Sequence, residues 1–164
     1  MTGVILDRAR QVADQFPFPA RPQPAETTLF IAGHGTDRDE NSRAAIDQQV
    51  ERIRARQEFA AVHGVFLEEE PRIGEYHRLA QTRYVVVVPY FMSDGLHARE
   101  DIPVLLGEPE RLVRERLARG LPAWHNPTER NRRLIWYTPA VGTDAGVAEV
   151  ILERVREAAE DTEL

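Results

Sequence analysis

Residues 84–88 read Tyr-Val-Val-Val-Val, and this run decides the fold class. An unbroken aromatic and β-branched run, without polar alternation, is typical of a strand that is buried on both faces. Such strands lie in the middle of parallel sheets, where helices cover both faces. Other apolar runs of strand length stand at 27–32, 59–67 and 134–141.

Helical patterns separate these runs. In residues 41–57, Ile46, Val50 and Ile53 recur at the i, i+4 and i+7 spacing of one helix face. Strands that alternate with helices pair in parallel through right-handed crossovers. The sequence therefore predicts an α/β fold, a four-stranded parallel sheet in the order 2-1-3-4 with helices on both faces. Further helices are predicted over 73–81, 101–106, 110–119 and 144–159.

The two ends of the chain carry helical patterns of different expected roles. Residues 1–16 have the apolar spacing of a short helix, and the proline-rich stretch 17–26 follows. We expect residues 1–26 to be a helix and linker outside the main domain, which then spans 27–164. In the last helix, Thr143 is the expected N-cap. The residues expected to face the core there are Val147, Val150, Ile151 and Val155.

The composition excludes several classes of protein. The 164-residue chain has no cysteine and no lysine, and its net charge is −6. Disulfide scaffolds, thiolate-bound metals and thiol nucleophiles are thereby excluded. The acidic balance disfavours nucleic acid as a partner, and no apolar run approaches the ~20 residues of a membrane helix. We expect a cytoplasmic protein with no nucleotide cofactor, because no phosphate-binding motif is present.

Two histidines fall at the predicted carboxyl edge of the sheet. Gly33-His34-Gly35-Thr36 follows the first strand, and Met92-Ser93-Asp94-Gly95-Leu96-His97 follows the third. These strands are neighbours where the strand order reverses, which is where α/β sheets bind ligands. Paired imidazoles bind borderline divalent metals and accept protons. Each histidine alone is better explained as a hydrogen-bonded turn residue, and it is the pair that indicates a site.

Acidic residues accompany both histidines. Glu68 follows the second strand at the same edge, and Glu100 lies three residues after His97, on the same face of a helical turn. Helix-dipole complementarity is an alternative explanation for both carboxylates, and Asp101 is interpreted as structural. A hydrolase that uses Ser93 with His97 remains a weaker alternative, because the usual serine motif is absent.

Three segments together resemble the class II tetrapyrrole chelatases, closest to the short, single-half form of the sirohydrochlorin cobaltochelatases. The most specific element is Gly-Leu-His-x-x-Glu-Asp-Ile-Pro at 95–103, which follows the valine-rich strand. The resemblance extends from about residue 27 to residue 158. The segments that carry it are 30–36, 87–103 and 139–144.

The resemblance implies insertion of a divalent metal into sirohydrochlorin or a related tetrapyrrole, without ATP. Co²⁺ is the expected ion, with Fe²⁺ or Ni²⁺ as alternatives. His34 and His97 would hold the metal and take up pyrrole protons, and Glu100 would relay protons. The residues expected to bind the substrate are Glu68, Arg99 and Arg43.

The resemblance also implies a partner, because longer members of the family build the cleft from two halves. We expect a homodimer or a second chelatase half. A different class of function stays open: a chelatase-like domain of a larger protein that binds metal or tetrapyrrole without turnover.

Overall fold

The computed structural model describes residues 1–35 and 40–162, and at residues 40, 41 and 159–162 it describes the backbone alone. The helices are α1 Thr2–Gln15, α2 Glu40–Arg54, α3 Tyr76–Leu79, α4 Ile102–Leu105, α5 Glu110–Ala118 and α6 Ala145–Thr162. A π-helix over His97–Asp101 precedes α4. Short 3-10 turns occupy Pro24–Glu26, Ile73–Glu75 and Val141–Thr143. The strands are β1 Thr27–Gly33, β2 Ala61–Phe66, β3 Tyr84–Pro89, β4 Thr128–Arg130 and β5 Arg133–Tyr137.

The strands form one mixed sheet in the order β2-β1-β3-β5-β4. Strands β2, β1, β3 and β5 are parallel, which confirms the predicted α/β class and the adjacency of β1 and β3. The prediction of a purely parallel four-stranded sheet is wrong, because β4 adds an antiparallel edge strand. β4 is short and polar, and it is held by a hairpin through Asn131 and Arg132, both with positive φ. Hydrophobic periodicity cannot reveal such a strand.

The core lies on both faces of the sheet. On one face, Leu29, Val88 and Trp136 pack with α1 and α2. On the other face, a second cluster joins Phe30 and Val87 of the sheet to Ile73, Tyr76 and Ile102. Every residue of β1 is buried, so this strand supports the site from the centre of the sheet.

Helix α1 belongs to the core, contrary to the expectation of an appended helix. Ile5 and Leu6 are almost fully buried, and Trp136 donates a hydrogen bond from Nε1 to the carbonyl of Phe16 at 2.9 Å. The apolar spacing predicted the helix correctly, but its partner surface comes from strands that lie far along the chain.

Helix α6 departs from prediction in the opposite direction. Val147 is buried as predicted, whereas Ile151 and Val155 are 50% and 60% exposed. The sheet face is already covered by α1 and α2, so α6 meets the domain mainly at the turn Val141–Thr143. The predicted cap is also wrong: Asp144 Oδ1 accepts the Gly146 N–H at 2.9 Å. No described helix combines the length and apolar character needed to span a membrane.

Candidate active site

The structure brings His34 and His97 together at the carboxyl edge of β1 and β3. The centroids of the two imidazole rings lie 5.1 Å apart, and the ring planes are nearly perpendicular. The Phe91 ring packs against His97 with a centroid distance of 5.9 Å. Both histidines are partly exposed, so a ligand above the sheet edge can reach the two rings.

Glycines on both sides of His34 shape its turn. A Cβ at Gly33 would lie 2.0 Å from the Ile46 side chain, and Gly35 has a φ of +60°. The carbonyl of His34 accepts N–H groups from Leu67 and Glu68, both at 3.1 Å. The turn after β1 is therefore fastened to the segment that follows β2. Thr36, the last residue of the motif, lies outside the described residues.

Asp101 orients the imidazole of His97. Nδ1 of His97 lies 2.6 Å from Oδ2 of Asp101. An ionised carboxylate only accepts hydrogen bonds, so the neutral imidazole has its proton on Nδ1 and its free lone pair on Nε2. That arrangement is the one that a metal-binding histidine needs.

Glu68 stands beside His34, and Glu100 does not stand beside His97. Oε2 of Glu68 lies 3.7 Å from Nδ1 of His34, which is an ion-pair distance and longer than a hydrogen bond. The Glu100 carboxylate instead accepts a hydrogen bond from Nε of Arg114 at 2.9 Å, which raises the pKa of Arg114. The wider turn of the π-helix brings the fourth residue after His97 to the ring rather than the third.

The two candidate substrate arginines differ in their surroundings. Arg43 Nη1 bonds Glu69 Oε2 at 3.0 Å and the Glu70 carbonyl at 2.8 Å, and its hydrogen bond with Glu69 raises its pKa. Arg43 is thus already used within the domain. The exposed Arg99 lines a cavity of about 510 Å³ between α1 and the segment 120–126, and its guanidinium has no polar partner among the residues described.

Exposed apolar side chains flank the histidines. Met92 and Leu96 are each 65% exposed, at the same edge of the sheet. Gly142 packs against the backbone of Met92, and a Cβ there would lie 2.2 Å from the Met92 carbonyl oxygen. The loop after β5 therefore fixes the loop that carries Met92, which places an apolar surface next to the two imidazoles.

The donor set is small and open. Within residues 1–35 and 40–162, no three His, Asp or Glu side chains converge into a metal-binding group. His63 stacks on Phe30 in the sheet, and His125 lies in an exposed loop. His97 is bonded to Asp101, and no hydrogen bond joins it to Ser93 in the part of the chain described, so a serine–histidine pair is not formed.

A solved chelatase structure shares this fold. The chain superposes on CbiX, described as the terminal enzyme for siroheme biosynthesis in denitrifying bacteria, with a TM-score of 0.61. Sequence identity is 21%, and the match covers 96% of this chain and 57% of that chain. The architecture is therefore that of the chelatase-like α/β proteins.

The chain belongs to the CbiX family, whose model matches residues 28–158. It is 36% identical over 158 residues to a probable sirohydrochlorin cobaltochelatase of Halobacterium salinarum, covering 96% of this chain and 50% of that protein. It is 31% identical over 138 residues to the sirohydrochlorin cobaltochelatase of Methanopyrus kandleri, covering 79% of this chain and 95% of that protein. The chain thus spans about half of the first relative and nearly all of the second.

Proposed function

We propose that the protein inserts a divalent metal, in the first place Co²⁺, into sirohydrochlorin or a closely related tetrapyrrole without ATP. The observation that carries the proposal is the pair of imidazoles whose ring centroids lie 5.1 Å apart at the carboxyl edge of the sheet. The names of both curated relatives support the substrate and the ion. Imidazole also accepts Fe²⁺ and Ni²⁺, so these ions compete.

The open donor set suits metal delivery. Insertion exchanges the ligands of the ion for four ring nitrogens while two N–H protons leave, so the ion must be held loosely beside a base. In the proposed mechanism the imidazoles of His34 and His97 would hold the ion, and the two nitrogens that release it to the ring would then accept the two pyrrole protons. A closed tetrahedral site would retain the metal instead.

The carboxylates and arginines near the histidines have separate proposed roles. Among the residues described, Glu68 is the acidic group that lies beside His34, and Asp101 bonds His97. We assign proton relay at His97 to Asp101 in place of the predicted Glu100, because Glu100 is bonded to Arg114. Arg99 is the arginine free to meet a substrate carboxylate, whereas Arg43 is held by Glu69 and Glu70.

The site also calls for a second chelatase half. The apolar side chains of Met92 and Leu96 are exposed beside the histidines, and one half offers one wall of a cleft. The second wall comes either from another copy of the chain or from a different half. A macrocycle held between two walls is shielded from water while its protons leave.

Alanine at the paired histidines tests the function. We expect His34→Ala and His97→Ala each to lower the insertion rate by about 10²-fold or more, since each removes a metal ligand and a base. Insertion is followed by the change in tetrapyrrole absorbance with Co²⁺. His77→Gln is the matched control, because His77 lies on α3 away from the edge. Full activity in both alanine variants would show that these histidines do not carry the reaction.

Binding without turnover is the second candidate function. It is favoured by the two-histidine donor set and by the chain's span of half the Halobacterium relative. A binding module would take up metal or tetrapyrrole stoichiometrically, and its absorbance change would stop at one equivalent. Multiple turnovers per chain would exclude it.

A further inference from the structure

Helix α6 repeats the sequence of α1. Val-Ile-Leu, an acidic residue and Arg occupy 4–8, and the same run occupies 150–154. The likeness continues through both helices with apolar residues at the same places. Further matched positions pair Ala9 with Val155, Arg10 with Arg156, Val12 with Ala158 and Ala13 with Ala159.

The two helices have opposite surroundings. In α1, Ile5 and Leu6 are 0% and 2% exposed, packed on the sheet. The matched residues of α6, Ile151 and Leu152, are 50% and 54% exposed. Within the described part of the chain, about half of each of these two side chains stays uncovered, and Leu152 lies beside Met1 and Val4 of the first helical turn of α1. Side chains that fill the core in α1 therefore have matched side chains in α6 that do not pack on a sheet.

The contacts of α1 show what α6 is built to bind. The α1-binding face is defined by Val86, Val88 and Trp136, which cluster with the apolar side of α1. At its margin Arg8 bonds Thr143 Oγ1 at 2.9 Å and lies 3.3 Å from Asp144. In α6 the residue matched to Arg8 is Arg154, which contacts only the exposed Glu157 of its own helix among the ion pairs described. Helix α6 thus carries both the apolar stripe and the cation that such a face receives.

We propose that α6 docks on the sheet of a second chelatase half, on the face equivalent to the α1-binding face. The occupant is a half whose face is uncovered. An intact second copy of this chain does not qualify, because its own α1 fills the face. The Halobacterium relative, of which this chain spans 50%, has the length of two such halves. The proposal rests on the two-half arrangement given above, and its tests measure assembly and stability rather than metal insertion.

Transplanting the helix tests the fit. The residues at 4–15 of the full chain are replaced by the sequence of residues 150–161. Because apolar positions stay apolar and Arg8 is retained, we expect the chain to fold. The buried exchanges Ala9→Val and Val12→Ala should lower its Tm by about 5–15 °C. The matched control is Ile5→Asp in the parent chain, which places a charge on the buried side of α1, releases the helix from the sheet and should lower the Tm far more.

Mixing tests the docking. The probe is the full chain with Ile5→Asp, Leu6→Asp, Ile151→Asp and Leu152→Asp, so that its face is open and its own α6 cannot fill it. In sedimentation at micromolar concentration, we expect the intact chain to form a one-to-one complex with the probe. Ile151→Asp/Leu152→Asp in the intact chain should abolish the complex. Glu153→Gln/Arg156→Gln, at positions matched to the exposed Asp7 and Arg10, should leave it intact.

Three results would overturn the proposal. One is a transplanted chain that unfolds like the Ile5→Asp control. Another is a folded probe that fails to bind the intact chain. The third is a dimer of the intact chain that Ile151→Asp/Leu152→Asp dissociates, because the occupant would then be a second copy. If circular dichroism shows the probe to be unfolded, the transplant result decides.

Discussion

At the scale of single residues, one carboxylate determines which nitrogen of His97 is left free. The 2.6 Å contact between Asp101 Oδ2 and His97 Nδ1 leaves Nε2 free for an ion. In residues 1–35 and 40–162, His34 has no such anchor, since Glu68 is 3.7 Å away. The two imidazoles are therefore held to different degrees, with His97 the more firmly oriented.

Replacing this carboxylate should slow insertion. In Asp101→Asn the amide can donate to Nδ1, which favours the wrong tautomer of His97, and we expect a loss of about 10- to 100-fold in kcat. Asp101→Glu should restore part of that loss. The comparison is Glu100→Gln, whose carboxylate bonds Arg114. If Glu100→Gln and Asp101→Asn lowered kcat by the same factor, the assignment of the relay to Asp101 would be wrong.

The sequence could predict the histidine pair but not its immediate partners. His34 and His97 follow neighbouring strands, and parallel strands end at one edge, so their proximity follows from topology. Which carboxylate reaches His97 depends on the local helical turn, and the π-helix over His97–Asp101 has no simple sequence pattern. The sequence likewise could not predict that Arg43 bonds Glu69, because only the fold brings these two residues together.

At the scale of elements, long apolar patterns were informative and short polar ones were not. The run at 84–88 and the helix pattern around Ile46 and Ile53 predicted the correct elements. A strand buried on both faces shows a continuous apolar run, and a helix buried on one face shows apolar residues at helical spacing. The three residues of β4 bury little surface, so their sequence shows no hydrophobic pattern. For α1 and α6, the pattern identified an apolar side but could not say which sheet covers it.

The repeated helix offers a matched pair of core substitutions. Leu6→Ala should lower the free energy of unfolding by about 2–5 kcal/mol, because the Leu6 side chain is buried between α1 and the sheet. Leu152→Ala, at the equivalent position of α6, should change it by less than about 0.5 kcal/mol in the isolated chain. Urea titration measures both. Comparable losses in the two variants would mean that α6 packs on this domain.

At the scale of the whole molecule, the proposed substrate is an anion, whereas the protein is acidic. The net charge is −6, and a tetrapyrrole with several carboxylates is repelled by such a field. The attraction must then be local, and Arg99 is an exposed arginine beside the cavity between α1 and the segment 120–126. Within about 8–10 Å, salt at physiological strength does not screen such a charge fully.

Arg99→Gln should therefore raise the KM for the tetrapyrrole by about two- to fivefold and leave kcat nearly unchanged, which is the range of a single exposed ion pair. Arg52→Gln is the control, since both variants change the net charge by the same amount and Arg52 lies on α2. Steady-state insertion at low and high salt measures both. A KM that rises equally in the two variants would point to net charge alone.

The short hairpin strand has a consequence for how two halves can meet. β4 covers one edge of the sheet with three residues, too few to template another strand. At the other edge, Arg54 donates to the Val62 carbonyl of β2 at 2.7 and 3.0 Å, which occupies an acceptor that an incoming strand would use. Both margins are protected against strand addition, so a continuous sheet across two halves is disfavoured. Association is left to helix surfaces and to the edge that carries the histidines, and this protection also guards the chain against aggregation.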